Sequence, residues 1–117
     1  MRVEVGAAAE VGAGRSKKFV FVADAMEVEA FVVNVRGALH AYVNRCRHVP
    51  MSLDWVENRF FTADGRFVQC ATHGAYYRPE TGECVAGPPC GRTLIRVPLR
   101  IEGTTIVADC PSHLPDD

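Results

Sequence analysis

The sequence predicts an all-β protein. Short runs of β-branched and aromatic residues recur along the chain, and Gly or Pro punctuates them at close intervals. Between Phe61 and Phe67 the pair Asp64-Gly65 adds a hairpin-turn signal. No internal repeat or low-complexity tract interrupts this pattern.

Taken in order, residues 2–5 read as a short strand, at a flexible end or a sheet edge, and a loose connection follows to residue 16. Residues 17–22 (KKFVFV) are β-branched and aromatic, hence a strand. Residues 30–36 (AFVVNVR), the pair Gly37-Ala38 and residues 39–44 (LHAYVN) form a hairpin, in which His40 is an ordinary strand histidine. Pro50 discourages regular structure over 46–54, so that stretch is a loop. Residues 55–61 fit a short helical turn or an irregular connector. The Asp64-Gly65 turn puts 66–69 on a strand ending at Cys70. Residues 75–77 form a further strand, Thr81-Gly82 a turn and 83–86 a short strand. Pro88 and Pro89 cannot sit in a central strand, so 87–91 is a loop. Residues 93–99 and 104–108, joined across Glu102-Gly103, are expected to pair as a closing hairpin, and 109–117 to trail as a polar tail.

At 117 residues the chain fits one domain, 1–117, and its 48% hydrophobic and 23% charged shares are those of a globular protein in water. A net charge of −1, with the basic residues scattered, offers no stripe to neutralise phosphates, which argues against nucleic acid as a partner. Glu4 and Glu10 interrupt the apolar N-terminal stretch, so it reads as neither a secretory signal nor a twin-arginine leader. No run of 18 apolar residues is present, and no membrane anchor is expected. Five cysteines, an odd number, do not make a disulfide framework, and a reducing cytoplasm is the default compartment.

The chemistry concentrates in two mixed pairs. Cys46-Arg-His48 lies in NRCRHVPMSLDW and Cys70-Ala-Thr-His73 in FVQCATHGAYYRPETGE, with 21 residues between His48 and Cys70. Each pair joins one soft thiolate to one imidazole. A single tetrahedral zinc takes two Cys and two His, yet its usual spacing groups like with like. Two loops that each deliver one ligand of each kind suit a bridged pair of metals whose two ends differ.

After His73 the chain continues Gly74-Ala75-Tyr76-Tyr77, then Thr81-Gly82 and Gly87-Pro88-Pro89. Over roughly residues 17–108 this resembles the Rieske family, most of all its soluble ferredoxins: the C-x-H and C-x2-H-G-x-x-[FY] segments, the T-G turn and a proline loop that covers the cluster. The resemblance implies antiparallel Rieske-type sheets as a base domain, with a small inserted cluster-binding lobe at about 45–91. It implies one [2Fe-2S] cluster, with Cys46 and Cys70 as thiolates on the inner iron and His48 and His73 on the outer iron. Replacing two thiolates by imidazoles removes negative charge and raises the potential.

Further roles follow from the same resemblance. Met51 and Thr72 stand where respiratory members carry a loop-bridging disulfide, so that bridge is absent. Ala75 replaces a Ser that hydrogen-bonds a bridging sulfide, which lowers the potential. Tyr77 keeps the place of a tyrosine that hydrogen-bonds a ligating cysteine, which lifts it somewhat. The expected potential lies in the lower part of a range that begins near roughly −150 mV. Cys84 and Cys90 flank the proline loop and read best as buried thiols. Cys110-Pro-Ser-His113 repeats C-x2-H without the Gly and aromatic residues, and reads as a decoy.

The function implied is a one-electron carrier between a reductase and a terminal oxygenase, not an enzyme, with partners docking near His48 and His73. A non-haem iron site needs two His and a carboxylate, and His40 and His113 lie at opposite ends of the chain. The alternatives are a small subunit of a nitrite-reductase-like complex and a zinc-stabilised interaction module.

Overall fold

A computed structural model of the chain describes residues 2–45, 53, 60–62, 65–70, 75–87 and 91–114. Among these residues, ten strands form three antiparallel sheets. The first orders β1 (Arg2–Ala7), β10 (Thr105–Asp109) and β9 (Leu99–Glu102). The second orders β2 (Ser16–Ala23), β3 (Met26–Val35), β4 (Ala38–Val43) and β8 (Arg96–Val97). The third orders β5 (Val68–Cys70), β6 (Ala75–Tyr77) and β7 (Cys84–Ala86).

The second sheet is the middle of the molecule. In β3 the run Ala30-Phe31-Val32-Val33 is buried at every position, because this strand is covered on both faces. Ala30 and Val32, with Ala41 and Val43 opposite, pack with Val5, Ile106 and Ala108 of the first sheet. Phe31 and Tyr42, opposite each other, point the other way and pack with Val68, Cys70 and Tyr77 of the third. Phe31 also stacks on Phe60, ring centroids 3.9 Å apart, so the connector expected over 55–61 ends in a core anchor; 55–59 lie outside the described residues. The third sheet does not reach the distal part of β2, where Val20 and Val22 are exposed.

Three expectations are corrected. Residues 93–98 do not join 104–108 in one hairpin ladder. Pro98 has no N–H for a ladder, and the chain divides there: β8 joins β4, while β9 pairs with β10 through Leu99↔Ala108 to Glu102↔Thr105. The polar tail is in fact docked as far as residue 114. Cys110 is buried, Leu114 packs on the first core, and His113 Nδ1–H donates to Asp24 Oδ1 at 2.6 Å. The loose connection before residue 16 contains a 3-10 turn at Ala8–Glu10 and the fully buried Val11. No helix among the described residues is long and apolar enough to cross a membrane.

Candidate metal centre

Cys70 is the last residue of β5, fully buried, and pairs with Ala75, the first of β6. The connection 71–74, which carries His73, therefore springs from one strand-end pair. Cys46, His48 and His73 lie outside the described residues, as do Met51 and Thr72. The ends of their loops are fixed all the same.

The first loop is held where it leaves and where it returns. Asn44 follows directly after β4, and its Oδ1 accepts the Leu53 N–H at 2.8 Å. Leu53 is fully buried in the same apolar cluster as Cys70, Ala75 and Tyr77. The proline loop begins at Gly87, whose φ of +98° suits glycine. A Cβ on Gly87 would lie 2.8 Å from Ala75 Cα, so the backbone of this loop rests directly on the strand that leaves the second ligand loop. The anchors of the second ligand loop and of the proline loop thus meet at Ala75, and Leu53 lies in the same apolar cluster. Of the four expected ligands Cys70 is the one described, and its buried thiol fits an inner, water-excluded ligand.

Tyr77 shares the inward face of the sheet with Cys70, Val68 and Ala75, since alternate residues of β6 point inward. It is fully buried between Val68 and Cys84 of its neighbouring strands. Cys84 is a buried thiol, as expected, and its Sγ–H donates to Ala86 O at 3.2 Å; Cys90 is outside the described residues. Cys110 and His113 do not converge. Cys110 is in the core, where burial pushes its pKa up, while His113 is 84% exposed beside Asp24.

The turn after β6 is bolted to the middle sheet. Tyr42 O–H donates to Pro79 O at 2.8 Å, and burial pushes the phenol up to about 12, so it remains a donor at any working pH. Arg96 Nη1 donates to Glu80 O at 3.1 Å. Its Nη2 donates to His40 Nδ1, because a guanidinium cannot accept. His40 is accordingly neutral, its pKa lowered by burial first and by Arg96 second. Gly82 lies so close to Tyr42 that a Cβ would meet Cε1 at 2.7 Å.

Sequence reasoning missed Asn44 and Tyr42. Each was read only as a residue of a strand, and the partner of each is far enough along the chain that only the fold brings it near. A cavity of about 520 Å³, lined by Arg36, Arg66, Phe67 and Arg78 among others, opens at the other end of the third sheet, away from the ligand loops.

Known proteins resemble this chain over most of its length. The family profile described as Rieske [2Fe-2S] domain matches residues 1–113. A cytochrome b6-f complex iron-sulfur subunit of Chlorobaculum thiosulfatiphilum is 39% identical over 103 residues, which are 88% of this chain and 50% of that subunit. The chain therefore spans half the length of that relative. A biphenyl dioxygenase ferredoxin subunit of Pseudomonas sp. strain KKS102 is 35% identical over 86 residues, 74% of this chain and 72% of the relative. Among solved structures, the ferredoxin of carbazole 1,9a-dioxygenase from Nocardioides aromaticivorans IC177 has a TM-score of 0.68 at 23% identity, covering 92% of this chain and 96% of that one. A chain in the complex of reduced oxygenase and oxidized ferredoxin in carbazole 1,9a-dioxygenase has a TM-score of 0.73 at 19% identity, over 99% and 97% of the two chains. At these identities the structural likeness establishes the shared fold.

Proposed function

The chain belongs to the Rieske [2Fe-2S] domain family, and from that premise we propose that it is a one-electron carrier that passes electrons from a reductase to a terminal oxygenase. The observation that carries the reading is the meeting of Cys70 and Gly87 on Ala75 at one end of the third sheet, with Leu53, held by Asn44, in the same apolar cluster. When bound, the [2Fe-2S] cluster supplies a reversible one-electron couple. Cys46 and Cys70 hold the buried iron and His48 and His73 the outer one. Tyr77 donates a hydrogen bond to a ligating sulfur, and Ala75 offers none to a bridging sulfide. The chain is one domain, 1–117, with the lobe at about 45–91 carrying the ligands. Partners dock near His48 and His73, in the small, weak encounters that electron transfer tolerates. The working compartment is the cytoplasm, the default for a chain with an odd cysteine count and no disulfide framework. The chain is a component of a multi-protein system rather than a catalyst.

Coulometric titration of the anaerobically purified protein tests this: uptake of one electron per chain, reversibly, is expected, and uptake of none contradicts the proposal. A second reading, a subunit of a larger electron-transfer complex, draws on the 39% identity to the cytochrome b6-f subunit. The two separate on the partner that oxidises the reduced protein: a terminal oxygenase on the first reading, another subunit of the complex on the second.

A further inference from the structure

We propose that Asn44 is a positioning residue that presets the first ligand loop, independently of the metal, by an amide bridge between the middle sheet and the far end of the loop. Asn44 is the buried polar residue of the described chain, 6% exposed. Its Oδ1 accepts the Leu53 N–H at 2.8 Å, and its Nδ2 donates to Glu29 Oε1 at 2.6 Å. Its own N–H donates to Glu29 O at 2.8 Å, so the residue is tied to β3 twice. Lys18 Nζ stands 3.2 Å from the same Glu29 oxygen and holds that carboxylate in place from the neighbouring strand. The loop that leaves after Asn44 and returns at Leu53 contains Cys46 and His48, two and four residues beyond the bridge.

The bridge asks for an amide. Leu53 N–H can only donate and the Glu29 carboxylate can only accept, so the side chain between them must accept on one side and donate on the other. Aspartate would set carboxylate against carboxylate, and leucine would strand the Leu53 N–H. Leu53 is itself fully buried, so its N–H has no water to fall back on. Held this way, the return of the loop at Leu53 is fixed to the middle sheet whether or not a cluster is bound. The inference rests on the cluster reading above.

A matched control exists in the same sheet. Asn34 also makes two hydrogen bonds with its amide, to Val11 O and from Gly37 N–H, each 2.8 Å, but it brackets no ligand loop. The test compares holoprotein of the wild type with Asn44→Ala, Glu29→Ala and Asn34→Ala. It reads the EPR g-values, the midpoint potential, the rate of bleaching in chelator, and hydrogen exchange at the Leu53 amide. Asn44→Ala is expected to shift the g-values and the potential and to bleach roughly tenfold faster, the rate equivalent of one unpaired buried group. Leu53 exchange should quicken in parallel. Glu29→Ala should move the same readouts in the same direction by less, and it carries the test if Asn44→Ala does not fold. Asn34→Ala should melt earlier with wild-type g-values and potential.

Wild-type spectra and bleaching in Asn44→Ala, or in Glu29→Ala when it stands alone, would overturn the inference. So would spectral changes of equal size in Asn34→Ala, which would mark a general loss of stability. A wild-type protein that binds no cluster would overturn both this inference and the proposed function. A normal wild-type cluster with indifferent variants would overturn this one only.

Discussion

Tyr77 differs from phenylalanine by one hydroxyl, placed on the buried face that it shares with Cys70. A donor to a ligating thiolate drains negative charge and favours the reduced state. Tyr77→Phe is therefore expected to lower the midpoint potential by roughly 40 mV, one hydrogen bond of about 1 kcal/mol in a one-electron couple. An unchanged potential in a redox titration refutes the assigned role. At the surface, Glu102 accepts from Arg2 at 2.6 Å and from Arg100 at 2.7 Å. These hydrogen bonds hold its carboxyl down to about 2 from an ordinary 4.5. A depressed carboxylate contributes its stability above the ordinary value and loses it as pH falls towards 2. Wild type and Glu102→Gln should therefore differ in melting temperature at neutral pH and converge between about pH 4.5 and 2. A constant difference across that window would contradict the pairing.

At the scale of elements, the proline loop depends on a residue that cannot grow. Gly87 combines φ of +98° with a 2.8 Å approach to Ala75. Gly87→Ala adds a strained backbone and a contact with main chain, about 1–3 kcal/mol of destabilisation. Thermal melts should show the loss and bleaching should accelerate; a neutral substitution would mean that the loop does not rest on β6. Elements of this kind were legible in the sequence where one local signal sufficed. β2, the β3–β4 hairpin and the short strands 68–70, 75–77 and 84–86 could be read from β-branched runs and turn residues. The β3–β4 turn itself is centred on Arg36-Gly37, both at positive φ, one residue earlier than Gly37-Ala38 suggests. The β2–β3 turn uses Asp24 and Ala25 at positive φ, and neither announces a turn as Asn-Gly does. The split of 93–102 between two sheets was hidden because Pro98 reads only as an interruption, and which sheet each half joins is decided by distant partners.

The whole molecule is a middle sheet with a different task on each face. One face builds the base core with β1, β9 and β10, and the other receives the third sheet through Phe31, Tyr42 and Leu94. The four proposed ligand residues are named from spacing and family resemblance, because short motifs survive without long-range context. Their supports could not be, since Asn44–Leu53, Tyr42–Pro79 and Gly87–Ala75 each join residues that only folding brings near. The central claim is that these supports serve a mixed-ligand iron–sulfur cluster. EPR on the dithionite-reduced protein, with iron and acid-labile sulfide assayed on the same sample, tests it most directly. A rhombic signal with the low average g of mixed His/Cys ligation, and two irons and two sulfides per chain, is the expected result. An EPR-silent sample that contains zinc in place of iron would contradict it.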